Sequence, residues 1–175
     1  MVRWRLNPPM ITGDGSRRRI SAAELASSNV VKVATWGGNG GDSEWTFFPD
    51  EGPAPYWIKE ITVTKTTDQS CVIALTFIYE DADKHIHISK VGGQTRGYDI
   101  KYNFSKGRKI VEIKGEYGDY SNITVITSVA FGTQLQPSGG TPFSLSLTEG
   151  RIVGFYGKYG DYLDSIGAIL SPDHI

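Results

Sequence analysis

The sequence lacks the features that mark several common protein classes. It has one cysteine, Cys71, so no disulfide framework can form within the chain, and a secreted domain stapled by disulfides is excluded. No apolar run is long enough to span a bilayer. The formal net charge of −1 at pH 7 gives no electrostatic footprint for nucleic acid or for an anionic membrane surface. With 175 residues, 39% of them hydrophobic, the chain can form one ordinary domain with a core.

The first 29 residues show little periodic hydrophobicity and are rich in proline, glycine and arginine. We predict that residues 1–29 form an N-terminal tail, largely disordered or loosely docked, and that residues 172–175 form a short C-terminal tail. The start of the chain has no apolar stretch of the kind found in secretory signals. Together with the single cysteine, this predicts a cytoplasmic or nucleocytoplasmic protein.

No segment shows the apolar periodicity of a long helix, whereas short β-branched and aromatic runs separated by glycine begin at Val30. An internal repeat organises these runs. The segments Ile58–Phe77, Ile110–Phe131 and Ile152–Leu170 each read as a strand, a tight loop and a second strand. Three equivalent units predict one all-β domain over residues 30–171, with pseudo-threefold symmetry and sheets that share a core.

One pair of turns carries residues suited to a ligand rich in hydroxyl groups. The tetrapeptide Tyr-Gly-Asp-Tyr occurs at residues 117–120 and 159–162, and only the later copy has an acid, Asp164, four residues after its glycine. A carboxylate accepts strong hydrogen bonds from two neighbouring hydroxyls, and glycine lets a sugar ring approach the backbone. These residues favour a sugar site, although Asp161 and Asp164 are equally at home in an ordinary solvated turn.

Taken in order, the motifs of the chain resemble those of the jacalin-related lectins. The resemblance covers Val30 to about Ser171, and the matching stretches are Trp-Gly-Gly-Asn-Gly-Gly at 36–41, Thr-Pro-Phe-Ser-Leu at 141–145, Arg-Ile-Val-Gly-Phe at 151–155 and Gly-Asp-Tyr-Leu-Asp-Ser-Ile-Gly at 160–167. It implies a β-prism of three four-stranded Greek-key sheets. It also implies a carbohydrate-binding plant lectin that needs no cofactor and no metal.

The resemblance further implies where the sugar binds. It places the backbone N–H of Gly41, in the front glycine loop, beside the backbone N–H groups of Tyr162 and Leu163. The carboxylates of Asp161 and Asp164 complete the implied site, with Asp164 as the principal acceptor. We therefore expect these five residues to lie together.

The resemblance is to the mannose/glucose-binding branch of the family, which makes mannose/glucose-containing glycans the expected partners. Galactose-binding members are cleaved to expose a glycine amine at the front loop, whereas here 36 residues precede Gly37 in a continuous chain. The family also places a specificity-modulating wall where this chain has Gly92 and Gly93. The first repeat lacks the glycine and acid of the site motif, and the middle repeat ends in Asn122, so we expect one site per chain.

Enzyme and metal functions have little support in the sequence. A glycosidase needs two carboxyl groups on opposite sides of the scissile bond, whereas Asp161 and Asp164 fall on one loop. Of the three histidines, only His85 and His87 are close in sequence. A zinc site normally takes three or four protein ligands, so this pair is predicted to be a surface pair.

A single shallow site is expected to bind a monosaccharide weakly, with a dissociation constant of about 1 mM or about −4 kcal/mol. Useful binding then requires several linked sites, so we expect a homodimer or a higher homo-oligomer. The alternative function is a protein–protein interaction module on a lectin fold, with weak or no sugar binding. Competition by a free sugar would separate the two.

Overall fold

A computed structural model describes residues 30–49 and 56–172, and all the regular structure in these ranges is antiparallel β-sheet. The predicted 1–29 tail and residues 173–175 lie outside the described residues. No helix in the described part of the chain could cross a membrane. The strands are β1 Val31–Gly37, β2 Ser43–Phe47, β3 Trp57–Lys65, β4 Val72–Glu80, β5 Ile86–Gly92, β6 Tyr98–Asn103, β7 Glu112–Tyr120, β8 Ile123–Phe131, β9 Thr141–Ser146, β10 Arg151–Tyr159 and β11 Ser165–Ser171.

The strands form three sheets, and each sheet is built around one copy of the predicted repeat. The orders are β5-β4-β3-β6, β8-β7-β9 and β1-β11-β10-β2. In the last of these, β1 and β2 come from the start of the domain and flank the hairpin formed by β10 and β11. Gly37 at the end of β1 pairs with Ser165, and Ser43 at the start of β2 pairs with Tyr159. The front glycine loop and the 160–164 loop therefore lie at the same end of one sheet.

The predicted all-β prism of three sheets is confirmed, with one difference in strand number. The sheet of the middle repeat has three strands in the described residues, where four were predicted. Residues 133–140 form no strand, and a side chain holds their backbone instead, since the carboxylate of Glu116 accepts hydrogen bonds from the N–H and hydroxyl of Ser138. Burial alone would raise the pKa of Glu116, but these bonds outweigh it and lower that pKa. Pro137 has no N–H to give to a ladder.

Apolar residues of all three sheets meet in one core. The ring of Phe47 stacks on that of Phe77 at a centroid distance of 3.9 Å. Phe155 lies 5.8 Å from Phe77 and 5.2 Å from Phe131. These four aromatic residues come from β2, β4, β8 and β10, so the three hairpins are packed against one another rather than each forming its own core.

Candidate functional site

The 160–164 loop is joined through Leu163 to the other two sheets. The N–H of Leu163 donates to the carbonyl of Val72 in β4 at 3.0 Å, and its carbonyl accepts from the N–H of Ile126 in β8 at 2.9 Å. The Leu163 side chain is fully buried in the common core. The loop thus has a position set by the core, although it lies between strands of the third sheet.

The front loop packs closely against Asp164. The N–H of Gly38 donates to the Asp164 carbonyl at 2.9 Å. A Cβ added to Gly40 would lie 3.0 Å from Asp164 Oδ1, and one added to Gly41 would lie 2.6 Å from Oδ2. Gly41 has a φ of +85°, a conformation that favours glycine. The structure therefore brings the predicted residues Gly41 and Asp164 together, and the glycines are required for that approach.

The carboxylate of Asp164 lies where its charge is disfavoured. The residue is 2% exposed. Burial raises the pKa of Asp164 above its usual range, the nearby carboxylates of Asp161 and Asp42 add to this, and the N–H of Gly160 and the ammonium of Lys158 oppose it. The N–H of Gly160 lies near this carboxylate but donates to the carbonyl of Tyr162 at 3.0 Å, and no hydrogen bond from another described residue reaches the carboxylate oxygens. Most of its acceptor capacity is therefore unused.

The donors near Asp164 differ from the predicted set by one residue. The prediction for the Leu163 N–H is wrong, because Val72 already accepts its hydrogen bond. No described residue accepts a hydrogen bond from the N–H groups of Gly41, Asp161 or Tyr162. The free donors of the loop are thus those of Asp161 and Tyr162, while Leu163 anchors the loop. Asp161 is exposed and Tyr162 is half-buried.

One aromatic neighbour of the site was not predicted. Tyr120, at the end of β7, packs its ring edge against Tyr162, with centroids 5.1 Å apart and planes inclined by 81°. Both tyrosines end a copy of the repeated Tyr-Gly-Asp-Tyr sequence. The sequence did contain a sign of this contact. Equivalent positions of a threefold repeat lie at the same end of the prism, so the last tyrosines of the two tetrapeptide copies were expected near each other.

The earlier tetrapeptide copy does not form a loop like 160–164. Gly118 and Asp119 lie within β7, and the turn that follows consists of Ser121 and Asn122, with φ values of 51° and 65°. Two consecutive residues with positive φ are typical of a type I′ hairpin turn. The Asp119 carboxylate accepts a hydrogen bond from the Thr124 hydroxyl at 2.8 Å. One sugar site per chain stays a prediction.

The glycine loop after β5 lies against the same site. The N–H of Gly93 donates to the carbonyl of Ile73 at 2.9 Å. A Cβ on Gly93 would lie 2.0 Å from the carbonyl oxygen of Asp161, and Gly92 has a φ of +105°. The sheet of the first repeat therefore touches the 160–164 loop through Gly93. The role of Gly92 and Gly93 in specificity stays a prediction.

Comparison with known proteins identifies relatives of the chain. The family profile described as a jacalin-like lectin domain matches residues 33–169. Horcolin from Hordeum vulgare is 31% identical over 153 residues, which covers 83% of this chain and 99% of horcolin. The mannose/glucose-specific lectin of Parkia pendula is 31% identical over 153 residues, covering 82% of this chain and 32% of that longer protein.

Solved structures show the same architecture. The structure of the Calsepa lectin of Calystegia sepium, in complex with a biantennary N-glycan, matches with a TM-score of 0.71 at 28% sequence identity. The match covers 82% of this chain and 97% of that one. The structural likeness agrees with the family match.

We predict that Gly41→Ala destabilises the protein more than Gly107→Ala. Both glycines have positive φ, at +85° and +79°, so each alanine variant should lose about 1 kcal/mol from backbone strain. At Gly107 a Cβ meets nothing within 4 Å, whereas at Gly41 it meets Asp164 Oδ2 and the Tyr159 carbonyl below 3 Å. Urea denaturation of both variants measures the difference. Equal losses would mean that the front loop does not pack as described.

Proposed function

Because this chain belongs to the jacalin-like lectin family, we propose that it binds mannose/glucose-containing glycans at a site formed by Gly41, Asp161, Tyr162 and Asp164. Jacalin-like lectins are carbohydrate-binding proteins and not enzymes, which confirms the lectin interpretation over the glycosidase one. The observation that carries the site assignment is the buried Asp164 carboxylate, whose oxygens lie against Gly40 and Gly41 with little donation from the protein.

The chemistry of these groups is complementary to that of a pyranose. Two neighbouring sugar hydroxyls donate to the oxygens of Asp164, in the charge-assisted class of hydrogen bonds. The free N–H groups of Gly41, Asp161 and Tyr162 donate to sugar oxygens. The anchored loop needs little ordering when the ligand binds, which keeps the entropic cost low. The ligand thus supplies the partners that the protein leaves out.

Support for mannose and glucose comes from two sources. One relative is named a mannose/glucose-specific lectin, and one structural neighbour was solved with a biantennary N-glycan. The second source is the sequence itself, in which residues precede the front loop without a break, as in the mannose/glucose branch to which the sequence is similar.

The Gly92–Gly93 turn, which contacts the backbone of Asp161, is the proposed third wall of the site.

We predict that Asp164→Asn abolishes mannose binding without lowering stability. The pKa of Asp164 is raised in the folded protein, so its ionisation at neutral pH disfavours folding, and a neutral amide of the same shape removes that penalty. The denaturation midpoint should stay constant or rise. Binding is measured by amide shifts in labelled protein titrated with methyl mannoside, methyl glucoside and galactose.

Asp119→Asn is the control for this experiment, because it makes the same carboxylate-to-amide change in the earlier tetrapeptide copy, where Asp119 accepts a hydrogen bond from Thr124, and should leave binding unchanged. Mannose-induced shifts that persist in Asp164→Asn would contradict the site. Galactose binding would change the assigned specificity and keep the site. If no sugar shifts any amide of the native protein, the lectin proposal fails, and a protein–protein interaction module becomes the better interpretation.

Acidification should weaken mannose binding at a higher pH than an ordinary aspartate requires. Sugar hydroxyls donate to the ionised carboxylate, so protonation of Asp164 removes both charge and acceptors. Burial raises the pKa of Asp164. As the pH is lowered, the affinity should therefore begin to fall while the pH is still above about 4, where an unperturbed aspartate becomes protonated. Dissociation constants measured across this pH range test the point, with circular dichroism reporting that the fold persists. Constant affinity down to the usual aspartate range would refute it.

We also propose that the chain acts as a homodimer or higher homo-oligomer. A single site with an affinity of about 1 mM gains strength chiefly by linkage to other sites. Exposed apolar residues lie on two edge strands, Val31 on β1 and both Ile86 and Ile88 on β5. Sedimentation equilibrium measures the assembly, and a monomer at concentrations that agglutinate glycan-coated beads would contradict it. The cytoplasmic or nucleocytoplasmic location stays a prediction.

A further inference from the structure

We propose that Asn39 is a site of spontaneous modification, at which the Asn39–Gly40 peptide deamidates and thereby weakens the sugar site. Asn39 lies in the front glycine loop, between β1 and β2, and both Asn39 and Gly40 are exposed. Of the asparagines of the chain, Asn39 is the one that glycine follows. The modification depends on this peptide alone, whereas its effect on glycan binding rests on the proposed function.

Deamidation is an intramolecular reaction of asparagine, a thermolabile residue, and needs no reactant besides water. The backbone nitrogen of Gly40 attacks the side-chain carbonyl carbon of Asn39. The new C–N bond closes a cyclic succinimide, and the side-chain nitrogen leaves as ammonia with the proton that Gly40 gives up. Water then opens the ring. Cleavage of the new bond gives aspartate, and cleavage of the original peptide bond gives isoaspartate, in which the backbone runs through the side-chain carbon.

The structure leaves the reacting groups free. Among the described residues, none forms a hydrogen bond with the side-chain amide of Asn39 or with the N–H of Gly40. The peptide lies outside the β-ladders, since β1 ends at Gly37 and β2 begins at Ser43. Because Gly40 has no Cβ, its nitrogen is open to the approaching side chain.

The other two asparagines that the structure describes, Asn103 and Asn122, are also exposed but lack these features. Asn103 precedes Phe104, whose N–H donates to the carbonyl of Lys59 at 2.9 Å. Asn122 precedes Ile123, whose branched side chain crowds the backbone nitrogen. Exposure is therefore common to the three, whereas a free glycine nitrogen is found only after Asn39.

The products change the surroundings of Asp164. A carboxylate at position 39 adds negative charge to the loop that packs against Asp164, where a Cβ on Gly40 would lie 3.0 Å from Oδ1. Burial and nearby carboxylates already raise the pKa of Asp164, so another carboxylate raises it further. Isoaspartate also lengthens the backbone between Gly38, which donates to the Asp164 carbonyl, and Gly41, which leaves no room for a Cβ beside Oδ2. Both products therefore weaken the acceptor that the sugar needs.

Ageing of the full native chain in mildly alkaline buffer tests the modification. Peptide mapping by mass spectrometry should show NH2 replaced by OH at Asn39, as aspartate and isoaspartate, while Asn103 and Asn122 stay amides. Asn39→Gln is the matched control, because its longer side chain must close a larger ring that forms more slowly. Equal modification at Asn39 and Asn122 would overturn the proposal. So would an unmodified Asn39 over a period in which the chain unfolded in urea is modified there.

The effect on the site is measured on the same samples. Titration with methyl mannoside should show binding lost in proportion to the modified fraction of the native chain, whereas aged Asn39→Gln should bind as it does when fresh. Amide shifts at residues 160–164 report the change at the site without sugar, so this test stays decisive even if the fresh native chain binds no mannose and the proposed function fails. A modified chain whose 160–164 amide shifts match those of the fresh protein would overturn the inference.

Discussion

The two backbone hydrogen bonds of Leu163 are the constraint on which the site depends. One goes to Val72 in the first repeat and the other comes from Ile126 in the second, while Leu163 itself belongs to the third. Burial of its side chain in the shared core contributes about 2 kcal/mol. Without this anchor the 160–164 loop would have no fixed relation to Gly93 or to Tyr120, which approach it from the other two sheets.

The anchor also explains how the protein holds an unfavourable charge. Burial opposes the ionisation of Asp164, and a flexible loop would relieve the penalty by turning the carboxylate to solvent. Here the backbone on both sides is fixed: the N–H of Asp164 donates to Lys158, and its carbonyl accepts from Gly38. The free energy of the core thus maintains a carboxylate with unused acceptor sites, a common relation between stability and binding groups.

The sequence predicted the features that are local. Each repeat hairpin was predictable because alternating apolar residues and turn-forming residues lie within about 20 positions of one another. The meeting of Gly41 with Asp164 was expected only through the resemblance to a family, since no local pattern shows that β1 and β2 join the sheet of β10 and β11. The irregular segment 133–140 depends on Glu116, a distant partner that periodicity does not reveal.

The error at Leu163 has a similar origin. A sequence motif gives the order of the N–H groups in a turn but not which of them points into the core. That choice follows from burial, because a leucine that enters the core takes its own N–H away from water, where it needs a protein acceptor, and Val72 supplies one. Two clues were present: Leu163 is the apolar residue of the Gly-Asp-Tyr-Leu-Asp loop, and its polar neighbours are better suited to solvent.

The two ends of the prism carry different sets of polar groups. β4 begins at Val72, beside the proposed sugar site, and ends at Glu80, before the Asp81 hairpin, so its nine residues separate the two by about 27 Å. At the first end, glycines and free backbone N–H groups surround one carboxylate; at the other, side chains of a single hairpin converge. Because the strands between are held by aromatic packing common to all three sheets, a change of residues at one end leaves the core contacts that position the other end intact.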